Sequence, residues 1–323
     1  MAAARLRHAL VLNPNLDDAR TWLSAELGKL GLTTEARELL EEVVARDPAY
    51  PPAFNNLIQT YAGSGDFDKS DALINRVERI VGDTPDVSLA WGTQALVQGQ
   101  LARSVRKTKV AYDNNPAATI AKQWFGFVLL DIGDFAAASS AGNMSQQILA
   151  HGALGNIKAA DELLERLELE NGHRFLEWNN AAYYLVNAGR YGELVDLVER
   201  HFGDHEGLLQ QQSSDGYWGT GYYGPLAYAY LQKGADSVFR SLTEEMGKAL
   251  ADQRAAGIDN RFLWYSQAEY AALTGDVDKV LDTNAARGCL WVCFDVCVLY
   301  TDFRFNQARF AISGSRTAGI EAG

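Results

Sequence analysis

The chain has 323 residues, 47% of them apolar and 22% charged, with a formal net charge of -12. This composition excludes a disordered polymer, and an acidic balance without a Lys/Arg cluster argues against nucleic acid or an anionic membrane surface as partner. No apolar run approaches the length of a membrane span, and "MAAARLRHALVLNPN" lacks the apolar core and cleavage site of a signal peptide, so the expected location is the cytoplasm.

The first pattern in the chain is a half unit. Ala2, Leu6 and Ala9 recur at helical spacing and stop at Pro14. From there a lattice runs. Gly31, Gly65, Gly99 and Gly133 stand 34 residues apart, and Pro14, Pro48 and Pro116 lie on a second lattice of the same period, with Gly82 at its open node. Gly155 and Gly189 repeat the interval. One unit reads as an amphipathic helix, a Gly that ends it in the left-handed conformation, an Asp, Asn or Thr to cap the next helix, and a second helix stopped by Pro or Gly. Two antiparallel helices with their turns take about 34 residues. A single hairpin cannot bury its own apolar face, so the units must stack.

In this reading "ARTWLSAELGKLGLTTEARELLEEVVARDPAY" places Leu23, Leu27, Gly31, Ala36, Leu40, Val43 and Pro48 at packing and turn positions. The next unit supplies Phe54, Leu57, Tyr61, Gly65, Ile74 and Val77. A third carries Gly92, Gly99, Ala111 and Pro116, and a fourth Phe125, Gly126, Leu129, Gly133 and Ala138. On these residues the chain resembles the tetratricopeptide repeat family. The resemblance is closest over residues 1–138 and continues in diverged form over 143–288. It implies an all-α fold, a right-handed superhelical solenoid of stacked antiparallel helix pairs. About seven hairpins are expected, with no sheet beyond a short ribbon near the C-terminus. Because the chain opens inside a unit, an upstream domain of a longer regulatory protein is expected to precede it.

Three regions follow: a regular array over 1–142, a diverged array over 143–288, and a cap and tail over 289–323. Gly133 and Gly155 are only 22 residues apart, so the fourth unit is short of a second helix and a seam is expected near 139–145. Further units pack with Ala160 and Leu164, then with Trp178, Ala182 and Leu185. The excess length after Gly189 falls in "GDHEGLLQQQSSDGYWGTGYYG", a loop over 203–221 whose composition suits a mobile lid. In the cap, Cys289, Cys293 and Cys297 share one face of either a helix or a strand. No His lies within reach as a fourth ligand, so a reduced, buried, metal-free cluster is expected rather than a metal or redox site. His201 and His205 read as solvated loop residues, and "GTGYYG" lacks the flanking Lys-Ser and strand of a phosphate loop. No catalytic motif or cofactor site is found in the sequence.

The resemblance also implies that the first helix of each unit lines a concave groove. The inward positions are Asn55, Asn56 and Gln59; Gln123 and Phe127; Asn179, Asn180 and Tyr183; and Tyr228, Tyr265 and Glu269. Amides beside aromatics suit an extended peptide, whose backbone they bond and whose side chains they bury. The expected function is a non-catalytic scaffold for a protein or peptide partner. The alternatives are a structural or oligomerisation module, and an enzyme with its site in the diverged half. A clamp for chaperone tails is not expected. It needs inward Lys, Asn and Arg, and the matching positions hold Thr21, Ala25, Asp86 and Ala90, with Asn56 alone in agreement.

Overall fold

The computed structural model describes residues 2–29, 32–171, 175–209, 223–255 and 261–276. Sixteen helices of at least seven residues are described: α1 (Ala2–Leu12), α2 (Asp17–Lys29), α3 (Thr33–Arg46), α4 (Pro51–Gly63), α5 (Phe67–Val81), α6 (Pro85–Val97), α7 (Leu101–Asn114), α8 (Thr119–Asp131), α9 (Phe135–Ala141), α10 (Met144–Ala153), α11 (Ile157–Asn171), α12 (Phe175–Asn187), α13 (Tyr191–Phe202), α14 (Tyr223–Gln232), α15 (Asp236–Ala255) and α16 (Arg261–Leu273). No strand occurs among the described residues. Each even-numbered helix from α2 to α14 packs on the helix that follows it, giving seven hairpins. From α4 onward the even-numbered helices also pack on one another in series, so the fold is an all-α solenoid.

The glycine lattice does what its spacing demands. At Gly99 φ is +76°, its N–H donates to the Leu96 carbonyl at 2.9 Å, and Gln100 N–H donates to the Ala95 carbonyl at 2.8 Å. A side chain there would oppose the left-handed turn that reverses the chain between α6 and α7. The same turn recurs at Gly65, Gly133, Gly155, Gly189, Gly234 and Gly275. The expected side-chain caps are less regular. Asp134 caps α9 through Ala137 N–H at 3.0 Å. Asp66 makes no cap bond before α5 and faces Arg37 and Lys69 instead.

The core is not one continuous body. One cluster joins α3 to α6 through Leu40, Phe54, Leu57, Ile58 and Ile74. A larger one runs from Phe125 on α8 to Leu273 on α16. Between them the α6–α7 hairpin closes on small and polar groups. Ser104 Oγ donates to the Gly92 carbonyl at 2.8 Å, and Thr108 is buried against Gly92. Gln94 is buried and bridges Ser70 and Asp71 on α5.

The seam near 139–145 takes a definite form. Helix α9 has seven residues and ends at Gly142. Asn143 then opens α10 with a capping box: its side chain accepts from Gln146 N–H, and Gln146 Oε1 accepts from Asn143 N–H, both at 2.9 Å. Of the 203–221 loop, residues 205–209 form a short helical turn with Leu208 buried. Residues 210–221 of the loop and the three cysteines lie outside the described residues, as does the cap.

Candidate functional site

Helix α4 buries Ala53, Phe54, Leu57, Ile58 and Tyr61 on its packing faces, which leaves Asn55, Asn56 and Gln59 half-buried on the remaining one. Their side-chain amides make no hydrogen bond among the described residues. One period further, the same positions on α6 are Leu89, Ala90 and Thr93, all at least 95% buried. Another period on, α8 presents Gln123, Trp124 and Phe127, each half-buried. The Trp124 and Phe127 rings sit 6.0 Å apart in a tilted pair, and the Gln123 backbone carbonyl accepts from Gln146 Nε2 at 2.9 Å. These equivalent positions are therefore partly open on α4 and α8 and closed on α6.

Helix α16 lies against the same series of helices. It packs on α14, its neighbour in the series, and also touches α6. Tyr265 Oη donates to Asp131 Oδ1 at the end of α8, at 3.0 Å. Glu269, only 5% exposed, accepts from the Tyr183 hydroxyl of α12. Burial pushes its carboxyl up to about 7, with the Tyr183 bond acting in the opposite sense. Gly224 on α14 lies under this carboxyl: a Cβ there would stand 3.0 Å from it.

The candidates of the second half are thus used within the molecule. Asn180 is buried and donates to Ser145 Oγ at 3.3 Å. Tyr228 is buried, edge-on to Tyr191 at 5.7 Å. Tyr183 and Glu269 are brought together, whereas Tyr265 turns to Asp131. The Asn179 side chain lies outside the described residues.

Several polar groups carry no local sequence signal. Tyr184 Oη donates to Asp161 at 2.7 Å, and Arg190 bonds Asp161, Tyr184 and both Glu193 oxygens. Burial pushes the Asp161 carboxyl up, but the bonds from Arg190 and Tyr184 outweigh it and hold the group below its ordinary value. His201 corrects the solvated-loop reading. It lies in the last turn of α13, with its side chain 13% exposed and Nε2 2.9 Å from Glu168 Oε1. No cluster able to hold a metal ion occurs among the described residues. A notch of about 320 Å3 opens between α8, α10 and α11, lined in part by Lys122, Gln147 and Arg166. No described helix is long and apolar enough to cross a membrane.

A family model described as "Tetratricopeptide repeat" matches residues 29–92. No curated protein matches. Among solved structures, one described as the TPR domain of P58(IPK) aligns over 96% of this chain and 83% of its own, at 13% identity and a TM-score of 0.26.

Proposed function

We propose that this chain, whose residues 29–92 match the tetratricopeptide repeat, is a non-catalytic scaffold that binds a protein or an extended peptide on its inner wall at α4 and α8. Repeats of this family generally mediate protein–protein interaction. One observation carries the more specific reading: the side-chain amides of Asn55, Asn56, Gln59 and Gln123 are half-buried and make no hydrogen bond among the described residues. An amide both donates and accepts, so it matches the alternating N–H and C=O of an extended backbone. Trp124 and Phe127 stand beside Gln123 as an apolar surface for a partner side chain.

A second reading holds for the other end of the array. Asn180, Tyr183, Tyr228, Tyr265 and Glu269 direct their side chains to partners within the molecule, which favours a structural role there. The proposed partner is a protein in the cytoplasm, not nucleic acid or a membrane.

The test uses affinity capture with the full chain, followed by affinity measurement for each captured protein. Replacing Asn55, Asn56 and Gln59 together by Ala should weaken binding about tenfold or more, each lost amide costing about 1 kcal/mol. The melting temperature should stay unchanged, because these side chains are not packed between units. Unchanged affinity for every partner would move the binding surface elsewhere.

A further inference from the structure

We infer that α16 is a proton-controlled gate on the inner wall: it seats across α6, α8 and α12 while Glu269 is protonated, and the seat weakens when Glu269 ionises. The seat consists of the Tyr183–Glu269 bond, the Tyr265–Asp131 bond at 3.0 Å, and the contact with α6. Within it Glu269 is the chemical oddity. Among the described residues its one hydrogen-bond partner is a neutral phenol and no cation faces it. An ionised carboxylate removed from water needs two or three donors or an opposite charge, and a single hydroxyl is too little.

The groups around Glu269 do not alter this. Helix α12 offers Tyr183, while Tyr184 turns to Asp161. Helix α14 places Gly224 directly against the carboxyl, while its Tyr223 feels Glu245, its Tyr228 meets Tyr191 and its Tyr230 meets His205. Helix α15 contributes Glu245, whose charge bears on Tyr223. Helix α6 has only Asp86, in its exposed first turn, and α8 has Asp131, which takes the Tyr265 proton donor. Of these, Tyr183 alone bears on Glu269.

The direction follows from the sign of the shift. The seated carboxyl is raised to about 7. The proton-dependent part of the seat is therefore complete below the ordinary carboxylate value and is lost as pH rises through about 7. Release of α16 would uncover the part of α6 that it touches and open the wall beside the end of α8. That consequence rests on the groove being the binding face. The gate itself does not, and it is measured without a partner.

The experiment is hydrogen exchange of the full chain, read by mass spectrometry at pH 6 and pH 8 and normalised to the intrinsic exchange chemistry. Opening of α16 and of its cover on α6 should rise about tenfold between the two conditions, the ratio that linkage gives for a carboxyl moved from its ordinary value to about 7. Helix α4 serves as the control and should not change. Glu269→Gln keeps the protonated shape, so it should hold α16 closed at both pH values. Tyr183→Phe removes the bond that favours the charged form and should move the opening midpoint to higher pH. A wild-type α16 that exchanges equally at both values overturns the gate, as does a Glu269→Gln chain that opens with the wild-type ratio. If Glu269→Gln fails to fold, the Tyr183→Phe midpoint decides, and an unmoved midpoint overturns the gate. A working gate beside an inert Asn55/Asn56/Gln59 face would sink the groove and leave the gate standing.

Discussion

Gly92 shows how little space the third hairpin leaves. A Cβ at this position would lie 2.6 Å from Thr108 Cγ2 and 2.8 Å from the Thr108 backbone nitrogen. The backbone atom cannot rotate away, so Gly92→Ala must push α7 off α6. We expect a loss of about 1–3 kcal/mol in denaturant unfolding; a variant as stable as the parent would mean that the hairpin relaxes freely. This position was legible in the sequence, where a glycine inside a helical pattern marks a close approach. Gln94, two residues on, was not. It is a buried amide whose partners, Ser70 and Asp71, come from another helix. Gln94→Ala should strand the fully buried Ser70 hydroxyl and cost about 1–3 kcal/mol by the same measurement. An unchanged unfolding midpoint would show that Ser70 finds another acceptor.

At the level of the element, the shortened α9 and the start of α10 form an irregular joint in the array. Seven residues make fewer than two turns in all, so α9 depends on its neighbours for its helicity. The capping box at Asn143 settles where α10 begins. Asn143→Ala removes one of its two bonds and disorders the other, at about 1 kcal/mol. The loss should appear as faster amide exchange in the first turn of α10 with the rest of that helix unaffected. Protection equal to the parent's would assign the start of α10 to packing instead. The compressed interval between Gly133 and Gly155 exposed the joint in the sequence, and the Asn143–Gln146 pair matches a known cap pattern. Asp66 followed the same logic and failed, because ion pairs with Arg37 and Lys69 compete for its carboxylate.

Among the described residues, the two largest hydrophobic clusters flank the α6–α7 hairpin, whose contacts are mostly small and polar beside a minor cluster of Leu89, Ala111 and Ala121. Stability in such an array is close to a sum of local and neighbour terms. Leu185 is fully buried in the larger cluster, and Leu185→Ala should cost about 2–5 kcal/mol. Hydrogen exchange should then rise in α10 to α15 while α4 and α5 keep their protection. A uniform rise along the chain would show that the two clusters unfold as one. The contact of α16 with α6 is the long-range link between them, so its opening at higher pH should sharpen the division.

The sequence by itself determined the hairpins. Their signals are local: an apolar spacing within one helix, a glycine at positive φ a few residues away, a proline that cannot continue a turn. The inward register was also read locally, and Asn55, Asn56 and Gln59 are half-buried on the face that α4 does not pack. Only the tertiary structure decided which inward residues stay open. Tyr183 meets Glu269 across 86 residues, and Tyr265 meets Asp131 across 134. Those distances depend on the small rotation added at every unit, which no single unit encodes. The accumulated curvature brings α16 back onto α6, turning part of an expected groove into interior and leaving one carboxyl there with a phenol as its partner.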